Sequence, residues 1–412
     1  MATKFENVRG MRDFLPEDMI IRQKIIEKIK KVFEAYGFAP LETPALEYSK
    51  LLGKKYGEEE RLIYRFKDKG GRELALKYDL TVPLARVVAS NPLSKPFKRY
   101  QIQPVWRYDR PQKGRYREFW QCDIDTIGIK SNLADAEIVA CAAATLKTIG
   151  LKKFTIRINN RKLMNQMLID AGVAQRLIVP ALRAIDKLDK LGEDGVGAEL
   201  RKKGVSKETI ATLLEFIRIK GPLNKIFKAF LVDKEIKKEL QEFESYLKSF
   251  GVKNYMWDLS LARGLDYYTG PVFEIIGGKG IGSIAGGGRY DNLIGMFAGQ
   301  SVPATGLSFG LERVAEVLKL EKKKTKVKVY VIPIQTIKQS IKIAEQLRKA
   351  GINVDIDLQD RSISKNLGYA NKLGIPYVAI IGKKEKKNIR LRDMKTGKEQ
   401  LMAIKQVIKK LL

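Results

Sequence analysis

Histidine is absent from the 412-residue sequence. That removes histidine general bases, Ser-His-Asp triads and histidine metal ligands. Cysteine is nearly absent too. Cys122 and Cys141 have no metal-type spacing, which speaks against a disulfide framework and structural zinc and suits a reducing compartment. No apolar run approaches the ~20 residues that span a bilayer. The opening MATKFENVRG lacks the apolar core of a signal peptide. The expectation is a cytoplasmic protein without a membrane partner. Acidic charge is in short supply: 47 Asp and Glu face 78 Lys and Arg, a net +31. Such an excess favours a polyanionic partner, nucleic acid first. The rival reading is a lysine-rich surface of the heat-adapted kind. Any chemistry must come from arginine, carboxylates, tyrosine, amides, backbone dipoles or groups of the substrate.

What is present is length enough for two or three domains, and 44% hydrophobic residues to build their cores. The most informative stretch is FKRYQIQPVWRYDRPQKGRYREFWQCDIDTIG, residues 97–128. It reads as two strands joined by a charged loop near 109–116. Side chains in a strand alternate between faces. Arg99, Gln101, Gln103 and Arg107 share one face of the first strand; Tyr100, Ile102, Trp106 and Tyr108 share the other. In the second strand Arg117, Phe119, Gln121, Asp123 and Asp125 lie opposite Trp120, Cys122 and Ile124. A solvated front is one reading for a single strand. Two adjacent strands that converge on such a face suggest a pocket floor. The loop adds Arg110, Lys113 and Arg115, placed to meet phosphate.

Around this hairpin the chain alternates in kind. Pro16, flanked by Asp13, Glu17 and Asp18, marks a helix start, and Gly37 its stop. Pro44 implies an edge or irregular strand. Segments 63–67 and 73–77 flank a hairpin turn. Asp79 and Thr81 stand at a strand-to-helix junction, where they either cap the helix or face a ligand ammonium. An apolar helix is expected over 134–149 and a strand at FTIRIN. Residues 161–250 read as helical, with gaps at 192–197 and 221–222. DLSLARGLDYYTG and a strand at 272–276 follow, then Gly286–Gly288, which suit either a turn or close approach of a flat ligand. Arg313 falls in the first turn of a helix starting near Gly310, where a cation opposes the dipole and wants an anion. Beyond a charged linker at 321–327, strands alternate with helices, which predicts a largely parallel sheet.

RGMRDFLPEDM, YDLTVPLAR, RPQKGRYREFWQCDID, LARGLDYYTGPVFE, GGGRYDNL and GLSFGLERV, in that order, resemble the histidyl-tRNA synthetase family in its archaeal–eukaryotic style, over nearly the whole chain. The hairpin and the GLER segment look like class II synthetase motifs 2 and 3. The helix with Pro44 looks like motif 1, which implies a homodimer. The implied fold class is α+β: an antiparallel sheet with helices over 1–320, a helical insertion near 161–250, and a C-terminal α/β anticodon-binding domain over 328–412. The implied reaction is ATP-dependent activation of histidine, then transfer to tRNA(His), with Mg²⁺ bridging the outer phosphates and no direct His or Cys metal ligation. Carried over by motif, Arg107 holds the α-phosphate and the substrate carboxylate. Phe119 stacks on adenine, Arg313 holds the γ-phosphate, and Arg263 is the catalytic arginine. Asp79, Thr81 and Gln121 take the ammonium. Asp125 and Tyr268, with Tyr267 nearby, read the imidazole. Arg110, Gln112, Lys113 and Arg115 face the tRNA acceptor end. Asp109 stands where many class II enzymes carry Glu. Two alternatives stay open: a non-catalytic paralogue such as the regulatory subunit of histidine biosynthesis, and an RNA-binding protein on an inactive synthetase scaffold.

Overall fold

The computed structural model describes residues 5–53, 56–112, 114–263, 267–278, 282–318, 320–383 and 388–412, with backbone only at 57 and 58. The chain forms two compact units: Met1–Asp13 with Ile25–Lys319, and Phe14–Lys24 with Leu320–Leu412.

The larger unit is built on a nine-stranded sheet. Its spatial order is Ala39–Pro40, Phe97–Trp106, Glu118–Ile127, Ala304–Gly310, Ser283–Arg289, Pro271–Ile276, Thr155–Asn160, Tyr255–Asp258 and Lys220–Gly221. The strands Phe97–Trp106 and Glu118–Ile127 pair antiparallel over their full length, Phe97 opposite Ile127 and Trp106 opposite Glu118. The face with Cys122 and Ile124 is buried in the apolar core, as alternation requires. Helix Asn132–Ile149 is apolar nearly all round and accordingly buried. Ser131 caps its start, accepting from the Leu133 N–H at 3.2 Å, and Gly150 ends it in the left-handed region at φ 104°.

The helical stretch contains Arg161–Asp170, Ile178–Ile185, Leu188–Lys202, Lys207–Ile217, Leu223–Ala229 and Lys234–Ser249. The expected gap at 192–197 is only a kink. Gly192 alone leaves helical geometry, at φ 66°, and the helix resumes at once. The glycine triplet is not a turn but the interior of the strand Ser283–Arg289. Its central member explains why no side chain is present. A Cβ on Gly287 would lie 2.0 Å from the Gly306 carbonyl oxygen of the next strand.

The second unit holds a five-stranded sheet ordered Val354–Ile356, Val329–Ile334, Tyr377–Gly382, Asn388–Asp393, Glu399–Ala403. The first three strands run parallel and the last two return antiparallel. Alternation feeds both faces. Val329 and Val331 enter one core with Leu347 and Val407; Tyr330 and Ile332 enter another with Ala370 and Ile375. Gly374 closes the helix Ile363–Leu373 in the left-handed region.

Gly287→Ala is expected to lower stability by about 1–3 kcal/mol, the range for forced overpacking. Gly197→Ala, whose Cβ would meet Ile210 at an ordinary 3.5 Å, is expected to be neutral or stabilising. Denaturant unfolding of the two variants checks both.

Candidate active site

Strand register, more than any single residue, assembles this region. Antiparallel pairing sets Arg99, Asp125, Gly306 and Gly288 in one row across the sheet. The next row on the same face is Gln101, Asp123, Ser308, Gly286, Glu274 and Arg157. The glycines leave holes in that face, and distant side chains fill them. A Cβ on Gly286 would lie 2.0 Å from Arg263 Nη2, one on Gly288 2.9 Å from the Tyr268 ring, and one on Gly306 1.9 Å from Asp125 Oδ1. The bare backbone therefore receives protein side chains at each of these positions.

A cavity of about 430 Å³ opens on this face, and Arg107, Phe119, Gln121, Arg263, Arg313 and Arg115 all line it. Arg107 follows the first hairpin strand. Its Nε donates to the Tyr78 carbonyl at 3.1 Å, and its guanidinium lies 4.2 Å from the Tyr78 ring centre and 5.1 Å from that of Phe119. Arg313 is in the first turn of helix Leu311–Leu318, donating to the carbonyls of Gly114 and Ser283. Burial lowers its affinity for its own proton, and so do the neighbouring charges of Arg115, Arg107 and Arg263. Arg263 sits at φ 44°, in the left-handed region that disfavours a side chain, and its Nη1 pairs with Glu274 at 3.1 Å. Gln121 donates to Ser308 Oγ at 2.8 Å, while its Oε1 is buried without a partner among the described residues. The arrangement offers converging cations, aromatic rings and, in Gln121, an unsatisfied acceptor.

The other expected site residues are placed differently. Asp79 is buried, and its Oδ1 accepts from the backbone N–H of Thr81 (3.2 Å) and Val82 (3.0 Å) and from the Tyr56 hydroxyl (3.0 Å). It thus caps helix Thr81–Ser90, with Thr81 half-buried at the helix start. Burial raises the Asp79 pKa. Asp125 pairs with Arg99 at 2.8 Å and accepts from the Tyr290 hydroxyl; burial raises its pKa as well. Tyr267 and Tyr268 are buried, their ring centres 5.0 Å apart, with Tyr290 5.9 Å from Tyr267. Asp79, Thr81, Asp125, Tyr267 and Tyr268 are not among the residues lining the cavity. Arg110 and Gln112 are exposed on the hairpin loop, where Gln112 and Arg115 exchange backbone hydrogen bonds of 3.1 and 2.8 Å. Arg115 also pairs with Asp109 at 3.1 Å. Lys113 lies outside the described residues.

Several contributors were given no role by the motif reading. Glu274 anchors Arg263, Arg99 anchors Asp125, and Asp123 is buried beside both with its Oδ1 unpartnered. A fourth group, Arg183, Asp186, Lys187 and Lys190, comes from the helical stretch and walls the same cavity. The signals for Glu274 are a single carboxylate inside the otherwise apolar strand PVFEII and its place at the end of the LARGLDYYTGPVFE stretch. Among the described residues no group of three or more carboxylate or thiol side chains is placed to hold a metal ion.

The family model for histidyl-tRNA synthetase matches residues 10–314. The chain belongs to the histidyl-tRNA synthetase family. The model for the anticodon binding domain matches residues 328–412. A histidine–tRNA ligase of Aeropyrum pernix is 45% identical over 398 residues, 92% of this chain and 90% of the relative. One from Clostridium tetani is 43% identical, covering 97% of this chain and 96% of its own. The crystal structure of histidyl-tRNA synthetase from Nostoc sp. PCC 7120 superposes with a TM-score of 0.85 at 32% identity, covering 99% of this chain and 100% of that one. The fold is that of a class II synthetase, and the family uses ATP.

Asp123 supplies a pH test of the buried floor. Burial, opposed by Arg99 and reinforced by Asp125, pushes its pKa up to about 7. Between roughly pH 4, near the pKa of an unfolded aspartate, and this raised value the folded chain holds a proton that the unfolded chain has lost. Stability contributed by this group therefore falls as pH rises through that window. The melting temperature of Asp123→Asn, relative to the unmodified chain, is expected to climb across the window and level off above it. Thermal unfolding across pH measures this.

Proposed function

We infer that the chain is a histidine–tRNA ligase that works in two steps. In the first, a carboxylate oxygen of histidine attacks the α-phosphorus of ATP. A new P–O bond forms, the bond to the β-phosphate oxygen breaks, and pyrophosphate leaves. In the second, a hydroxyl of the terminal ribose of tRNA(His) attacks the carbonyl carbon of the adenylate, and AMP leaves.

The observation that carries this reading is the meeting of Arg107, Arg263 and Arg313, from three distant parts of the chain, beside Phe119 in one cavity. Adenylyl transfer depends on in-line positioning and on stabilising charge at phosphorus, more than on acid or base groups. Arginine provides a planar fork for phosphate and carboxylate oxygens. In this scheme Arg107 spans the α-phosphate and the histidine carboxylate, Arg263 stabilises charge on the α-phosphate, Arg313 takes the γ-phosphate, and Phe119 stacks on adenine. The nucleophile is the substrate's own carboxylate, so a chain without histidine forgoes nothing in this step.

The Oε1 of Gln121 suits the substrate ammonium, which Asp79 and Thr81 would share. Asp125, Tyr267 and Tyr268 would read the imidazole by hydrogen bonds whose loss penalises other amino acids. Mg²⁺ would arrive with the triphosphate, held mainly by phosphate oxygens and water, and would neutralise charge there. Arg110, Gln112, Lys113 and Arg115 would meet the acceptor end of the tRNA. We assign residues 1–320 to catalysis, with 161–250 as an insertion, 321–327 to a linker and 328–412 to anticodon binding. We also propose a homodimer through the region of Pro44, and a cytoplasmic site of action. No described helix is long and apolar enough to cross a membrane.

Arg263→Ala is expected to lower histidine-dependent ATP–pyrophosphate exchange by at least about 10²-fold, as for loss of one preorganised donor, while tRNA binding persists. Undiminished exchange would refute the assigned role. Raising salt from about 50 to 200 mM is expected to weaken tRNA binding by a factor on the order of 10³, with exchange far less affected. Filter binding and exchange assays in parallel measure the contrast.

A further inference from the structure

We propose that Glu274 is a positioning residue for the adenylation step, fixing the guanidinium of Arg263, and that Arg157 holds Glu274 in turn. This rests on the reading of Arg263 given above.

The argument begins with the sheet. Glu274 stands directly between Arg157 on one neighbouring strand and Gly286 on the other. Its two carboxylate oxygens are divided between two arginines. Oε2 pairs with Arg157 Nη1 at 2.7 Å, and Oε1 with Arg263 Nη1 at 3.1 Å. Arg157 is immobilised on its far side, with Nε 2.7 Å from Asp258 Oδ2 and Nη2 3.0 Å from Ser260 Oγ. Asp189 adds a longer contact at 3.4 Å. A continuous chain of charged contacts therefore runs from the sheet frame to Arg263.

Two further observations show why Arg263 needs such an anchor. Its backbone is in the left-handed region at φ 44°, so local chain preference does not place the side chain. It also shares the cavity with Arg107, Arg115 and Arg313; burial first, and then the charges of Arg115, Arg107 and Arg263, lower the proton affinity of Arg313. Gly286 opens the space that the guanidinium occupies, and Glu274 closes it from the neighbouring strand.

The test compares Glu274→Ala, Glu274→Gln, Arg263→Ala and the Glu274→Ala/Arg263→Ala double variant in the full-length protein by ATP–pyrophosphate exchange. Misplacing a catalytic group by about 1 Å costs on the order of 10²-fold. Glu274→Ala is accordingly expected to lower kcat by roughly 10²-fold, and the isosteric Glu274→Gln by about tenfold, with KM for histidine within about twofold. The double variant is expected to be no slower than Arg263→Ala, because Glu274 acts only through that residue. A Glu274→Gln enzyme within about twofold of the unmodified kcat, or a double variant that multiplies the two single losses, overturns the proposal. Glu274→Gln decides the matter even if Glu274→Ala does not fold. Full exchange in Arg263→Ala would instead sink the earlier assignment of Arg263, so the two failures are distinguishable.

Discussion

Arg107, Arg115, Arg263 and Arg313 are among six arginines that line one cavity, and the charges of the first three act against that of Arg313. The rest of the large unit is arranged to hold them there. Backbone carbonyls of Tyr78, Gly114 and Ser283 accept from Arg107 and Arg313, and carboxylates hold Arg115 and Arg263. In low-dielectric surroundings charges act strongly. Such a convergence of guanidinium groups suits a polyanion such as a triphosphate. Preorganised charge of this kind need not rearrange during the reaction.

The scaffold that makes this possible is a sheet face with side chains deliberately missing. Gly286, Gly288 and Gly306 each leave room for one polar or aromatic group delivered from elsewhere, while Gly287 permits close approach of two strands. In the same rows charges are paired across the register, buried Arg99 with buried Asp125 and partly buried Arg157 with partly buried Glu274. A buried pair of this sort adds little net stability, but removing one partner leaves an uncompensated charge. Its value is geometric: it fixes where a neighbouring group can be.

Much of this was legible from parity. Alternation correctly put Arg99, Gln101, Asp123 and Asp125 on one side of the hairpin and Cys122 and Ile124 on the other, because side-chain direction in a strand is a local property. Register is not local. Nothing in the residues announced that Arg99 would face Asp125, or that Glu274 would stand beside Gly286. The glycine triplet misled in a related way. Its lack of side chains is visible in the sequence, but what occupies the vacated space comes from residues far along the chain. The kink at Gly192 is a smaller case, one glycine tolerated within helical residues on both sides. Asp79 was left open between cap and ligand contact; its Oδ1 accepts from the backbone N–H groups of Thr81 and Val82 at the helix start. Motif resemblance supplied Tyr267 and Tyr268, which composition and spacing alone do not single out.

Arg183 and Asp186 close the cavity from the helix Ile178–Ile185 and its end, and Lys187 and Lys190 from the turn and helix that follow. The cavity thus has walls from two sources, a sheet and a helical lobe that is separate in sequence. A molecule bound against both walls adds its binding free energy to whatever holds the lobe to the sheet. By reciprocity, any event that secures the lobe tightens the grip on that molecule to the same degree. Protection of the lobe's amides from hydrogen exchange is therefore a direct gauge of occupancy in a cavity whose floor belongs to a different part of the chain.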